Sequence, residues 1–139
     1  MTVSDIQEAC ERLVHDYAWT QDNGEAEAFA ALFAPDAVWL RPGKDPLLGR
    51  EAILENARST FLKTLQEKAL HCITNFRLQV SDEGPSSTAY SIAFSGNDGG
   101  AGFSQDCQPV GAMIYRNRFK LVDGAWKISQ HQTEFRFKR

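Results

Sequence analysis

LHCITNFRLQVSDEGPSSTAYSIAFS, residues 70–95, is the stretch whose reading decides the fold. Apolar and polar residues alternate through Leu70–Ser81 and again through Ser87–Ser95. A period of two puts successive side chains on opposite faces, the mark of a half-buried strand. Between the two runs, Asp82-Glu83-Gly84-Pro85 concentrates residues that favour a reversal. The pattern returns at Cys107–Val122 after a Gly-rich loop, residues 96–102, and Asp123-Gly124 predicts a tight hairpin into Ala125–Phe137. Residues 70–137 therefore read as a meander of long strands.

Upstream the period changes from two to that of a helix. Ser4 followed by Gln7 forms a capping-box pattern, and Ile6, Cys10, Leu13, Val14 and Tyr17 recur at helical spacing. This predicts a helix over Ser4–Gln21 that stops near Asn23-Gly24, where glycine accepts positive φ. A second helix is expected over Glu25–Phe33, with Ala28, Phe29, Leu32 and Phe33 as its buried stripe, ended by Ala34-Pro35-Asp36. Ala37–Leu40 reads as a first strand closed by Pro42-Gly43, and Gly49–Gln66 as a third helix burying Ile53, Ala57, Phe61 and Leu65. Three helices followed by long strands indicate an α+β fold, with the helices on one face of a strongly curved antiparallel sheet. Such a sheet encloses a cone with a cavity at its wide end. The length of 139 residues suits a single domain, 1–139.

Composition narrows the function. A net charge of −3 gives no basic field for nucleic acid or an anionic membrane. Cys10, Cys72 and Cys107 are an odd number without metal-ligand spacing, so they read as free thiols in a reducing compartment. The N-terminal MTVSDIQEAC lacks a signal-peptide pattern, and no apolar run approaches the roughly 18 residues a membrane helix needs. A cytoplasmic protein is expected. GxSxG, Walker and HExxH patterns do not occur, so neither a metal nor a cofactor is expected.

Five segments carry a family resemblance: Tyr17-x4-Asp22, Phe29-Ala-Ala-Leu-Phe-Ala-Pro-Asp-Ala37, Gly49-Arg50-Glu51-Ala52-Ile53, His71-x-x-Thr74-Asn75-x-Arg77-Leu78 and Asp123-Gly-Ala-Trp126-Lys127-Ile128. Together they resemble the NTF2-like superfamily in its SnoaL-like branch over nearly the whole chain, which implies the cone-shaped fold. Scytalone dehydratase, bile-acid 7α-dehydratase and hexachlorocyclohexane dehydrochlorinase of that superfamily pair an Asp near the end of the first helix with a strand His. The resemblance carries these roles to Asp22 and His71, and that of the dehydratase tyrosine to Tyr17. It implies a lyase or dehydratase acting on a small hydrophobic, cyclic substrate. The general-base Asp of ketosteroid isomerase would fall near Arg41, which argues against that chemistry in its usual form. The late-strand arginine of some of these lyases has three possible matches: Arg116, Arg118 and Arg136.

The residues themselves support an acid–base reading. Imidazole titrates near ~6.5 and can take a proton at neutral pH, and a carboxylate on its far nitrogen fixes the tautomer. Alternation places His71, Ile73, Asn75 and Arg77 on one face of their strand, so His71 and Asn75 are expected to share the pocket. Tyr17 or Asn75 could polarise the departing or carbonyl oxygen. Trp19, Trp39, Phe61, Phe103 and Met113 are candidates to line the pocket, and equally to form the core. Tyr17 carries the same double reading. His131 has the parity opposite to Trp126 and Ile128, which predicts a surface or subunit interface unless a bulge intervenes. His15, on the polar side of the first helix, receives no role. Apolar residues on both faces of the 110–115 segment suggest a homodimer or homotrimer. The alternatives to a lyase are an isomerase or polyketide cyclase, or a non-catalytic ligand-binding or assembly domain like the small subunit of ring-hydroxylating dioxygenases.

Overall fold

The computed structural model describes all residues, 1–139. Helix α1 spans Val3–Asp22, α2 Ala26–Ala31 and α3 Arg50–Gln66. The strands are β1 Phe33–Leu40, β2 Leu47–Leu48, β3 Leu70–Ser81, β4 Gly84–Phe94, β5 Gly111–Val122 and β6 Ala125–Lys138. They form one sheet in the order β2-β1-β6-β5-β4-β3. The α+β class and the three helices agree with the sequence reading, and the long β3 lies where alternation placed it.

Four local expectations are corrected. The capping box of α1 is made by Thr2 and Asp5, not Ser4 and Gln7; the T-V-S-D run has the same spacing two residues earlier. Helix α2 ends at its cap Leu32, so the Phe33-Ala-Pro-Asp segment is not its last turn. It opens β1, held by Ile128 N–H donating to the Leu32 carbonyl at 2.9 Å and by the Arg50 guanidinium on the Phe33 carbonyl at 2.6 and 2.8 Å. The sheet is therefore mixed, because β1 runs parallel to β6. Finally, β5 begins at Gly111 and not at Cys107.

Two bulges in the middle of the sheet set which side chains face inward, and a third, at Arg136 of β6, lies opposite Ala112 and Met113. Between Thr74 and Arg77, β3 carries one residue more than β4 opposite it, and Asn75 there adopts φ +55°. Between Phe119 and Arg118 of β5, β6 carries an extra residue, Ser129. Each bulge reverses the parity of everything beyond it and deepens the sheet's curl. On the helix-facing side the resulting rungs are Ile73–Ser91–Met113, Ala89–Tyr115–Thr133 and Ser87–Asn117–His131–Trp39. Against them α1 packs Cys10, Leu13, Val14 and Tyr17, α2 packs Phe29, and α3 packs Ile53, Ala57 and Phe61, giving one continuous core.

Candidate functional site

Asp22 is the last residue of α1 and His71 the second of β3, 49 positions apart in the chain. The two meet because Asn23 and Gly24 turn the chain away at once. Asn23 returns Nδ2–H to the Trp19 carbonyl at 2.8 Å, and Gly24 takes φ +69°. One oxygen of Asp22 accepts the backbone N–H of His71 at 2.7 Å, while the other lies 2.6 Å from Nδ1 of its ring. The backbone bond fixes where the carboxylate sits, and the ring bond fixes how the imidazole turns. A carboxylate oxygen accepts, so Nδ1 carries the hydrogen, and in the neutral ring the lone pair is on Nε2. No protein group bonds Nε2. The two side chains are only 12–13% exposed, so both bonds are shielded from water.

The pair opens on a crevice of about 430 Å³ between α1 and β3, whose other walls include His15, Ala18, Trp19, Leu70 and Ile73. This is a mostly apolar wall with a base at one end. His15, given no role from sequence, lies on this wall. Its signal was the spacing of His15, Trp19 and Asp22, which places all three along one side of α1. Asp22 and His71 are two potential metal ligands, but no third His, Cys, Asp or Glu joins them.

The remaining candidates fall elsewhere. Tyr17 is buried in the core, stacked on His131 at 4.3 Å and edge-on to Tyr115 at 5.4 Å. Burial, reinforced by Tyr115, holds its hydroxyl well above the ordinary phenol range. Trp39, Phe61 and Met113 are likewise buried in the core and do not line the crevice. Asn75 is corrected by the β3 bulge: it is exposed, with Phe76 and Leu78 turned to the core in place of Asn75 and Arg77. Phe103 is exposed in the loop before β5. Arg116 and Arg136 face Glu134, and Arg118 faces Glu83, all at the surface, so none enters the crevice.

His131 is also corrected. The Ser129 bulge turns it inward, where it is 1% exposed, with Nδ1 at 2.8 Å from Asn117 Oδ1 and Nε2 at 3.0 Å from Thr133 Oγ1. Burial lowers its pKa to about 3, so it is a neutral part of the core. Tyr115 is the residue that sequence reasoning missed. It faces inward from β5, and its pKa is raised to about 12 by burial and by the nearby charge of Asp22. A phenol so placed stays protonated and keeps its hydrogen to donate. The inward alternation of Met113, Tyr115 and Asn117 was its available signal.

The sequence profile of the family described as SnoaL-like domain matches residues 2–132. Among solved structures, an NTF2-like protein with a cystatin-like fold from Novosphingobium aromaticivorans superposes with a TM-score of 0.80 at 18% identity, covering 93% of this chain and 80% of that one. A candidate scytalone dehydratase from the same organism gives 0.78 at 20% identity, covering 100% and 91%. A candidate aromatic ring hydroxylase, again from that organism, gives 0.76 at 20% identity, covering 99% and 93%. At these identities the likeness speaks for the fold. No curated protein matches.

Proposed function

We propose, starting from the fact that the chain belongs to the SnoaL-like domain family, that it is a small-molecule lyase of the dehydratase type. The observation that carries this reading is the Asp22–His71 pair, which lines a crevice whose walls are mostly apolar. In the proposed reaction Nε2 removes a proton from the carbon next to the one bearing a hydroxyl. The C–H electrons become the new C=C bond as the C–O bond breaks. The imidazolium, held by Asp22, returns the proton to the departing oxygen, which leaves as water. No co-reactant is consumed.

Trp19, Leu70 and Ile73 favour a flat, largely apolar substrate, and the candidate scytalone dehydratase among the fold neighbours is in keeping with a cyclic one. A thermal-shift screen of cyclic hydroxy-ketones, followed by turnover of the hits, tests the proposal. His71→Ala is expected to reduce turnover by at least about 10²-fold, the contribution of a positioned base. Unchanged turnover would overturn the mechanism.

One observation favours the non-catalytic reading: Tyr17, Trp39, Phe61 and Met113 fill the interior together, which leaves the crevice at the edge of the cone. A ligand that binds but is never converted would establish it. For the assembly we propose a homo-oligomer built on the apolar end of the outer sheet face, where Val110, Ile92, Ala112 and Phe137 adjoin. No helix is long and apolar enough to cross a membrane. Three unpaired cysteines support a cytoplasmic location.

A further inference from the structure

The outer face of the sheet, turned away from the helices, is divided along its length. One rung across four strands, Cys72–Ile92–Ala112–Phe137, is apolar. Beyond the β3 bulge the next two rungs are Arg77–Thr88–Arg116–Gln132 and Gln79–Ser86–Arg118–Gln130. All eight of these side chains bear hydrogen-bonding groups and none is apolar. They line a concavity of about 700 Å³, larger than the Asp22–His71 crevice.

We propose that this polar grid is a binding site for a compact molecule carrying two or more anionic groups. Three guanidiniums converge on it, each able only to donate and each suited to an oxyanion. Arg116 holds Glu134 at 3.0 Å and Arg118 holds Glu83 at 3.3 Å, while Arg77 has no carboxylate partner. The two pairs are open to solvent, with side chains 41–80% exposed, so they are weak and exchangeable for a ligand anion. The grid keeps an excess of positive charge on a chain whose net charge is −3. Arg116 and Arg118, two residues apart on one strand, have their origins about 7 Å apart, and Arg77 lies two strands away at about 10 Å. That triangle suits separate anionic groups on one molecule better than a single one. Gln79, Gln130, Gln132, Ser86 and Thr88 add neutral donors around it. The proposal is independent of the crevice chemistry.

The test is calorimetric titration of the full chain with inorganic pyrophosphate and, separately, citrate, at low and at high salt. One saturable site per chain is expected for at least one of them, weakening with salt. Whichever binds tells a phosphate-type from a carboxylate-type ligand. Arg77→Gln is expected to weaken binding by about tenfold or more, and Arg12→Gln, on α1, to leave it unchanged. Glu134→Gln, which frees Arg116, is expected to tighten it a few-fold, a gain that mere structural support would not give. Arg77 is exposed, and circular dichroism checks that the variants fold. The assignment is overturned if neither probe saturates, or if binding survives Arg77→Gln undiminished. It is also overturned if sedimentation shows a dimer that Arg77→Gln dissociates, since the face would then belong to a second copy.

Discussion

Replacing Asp22 by Asn probes the one contact on which the candidate site depends. The carboxylate accepts two bonds from His71, at 2.7 Å from the backbone N–H and 2.6 Å from Nδ1, both well shielded. Bonds to a charged acceptor contribute about 1.5–3 kcal/mol each, against about 1 kcal/mol for a neutral one. Asparagine keeps one acceptor oxygen, so one bond survives at neutral strength. Its amide N–H₂ replaces the other oxygen and sets a donor against Nδ1–H, the tautomer that leaves Nε2 free as a base. A negative charge at the C-terminal end of α1 is disfavoured by about 0.3–1 kcal/mol, and Asn removes that penalty. The bonds outweigh the dipole, which leaves a net loss of about 2–4 kcal/mol. For a domain of this size that is a fall in Tm of roughly 8–15 °C. Thermal unfolding followed by circular dichroism at neutral pH measures it. A double-mutant cycle with His71→Ala then separates the two bonds, because alanine keeps the backbone N–H and removes the ring. Asp22→Asn should cost about half as much in the His71→Ala background as in the native chain. A Tm change under about 2 °C, or full additivity of the two substitutions, would refute the reasoning and with it the pairing.

Acid stability should report on His131. Burial puts its pKa in the fold at about 3, against an ordinary ~6.5 when unfolded, so the unfolded chain binds the extra proton between these values. Its contribution to stability is complete above about pH 6.5 and is lost as pH falls toward 3, at about 1.4 kcal/mol per pH unit. Urea unfolding between pH 7 and 4.5 should show this slope in the native chain and a shallower one in His131→Gln; equal slopes would contradict it. Gly24→Ala should destabilise by at least about 1–2 kcal/mol, because φ is +69° and an added Cβ would meet Leu65 Cδ1 at 2.6 Å. Denaturant midpoints check this, and a neutral effect would mean that the turn after α1 does not hold Asp22 as described.

The apolar spacing of α1 and α3, the alternation from Leu70 to Ser81 and the Asp123-Gly124 turn are local signals, and each element formed where its own residues required. Asp22 and His71 were legible only through the resemblance, since neither residue type alone distinguishes a site from a cap or a satisfied strand histidine. What the sequence could not determine was orientation beyond a bulge. One unpaired residue near Asn75 exchanges Asn75 and Arg77 for Phe76 and Leu78 at the core, and Ser129 does the same for His131. Alternation predicts a face only while register is unbroken, and register is a property of two strands together. The parallel pairing of β1 with β6 and the nearness of Tyr115 to Asp22 are likewise long-range outcomes. The chain's own periodicity thus determined which elements exist. Only the packed sheet decided which side chains meet, because a hydrogen-bond ladder fixes register between segments that are distant in the sequence.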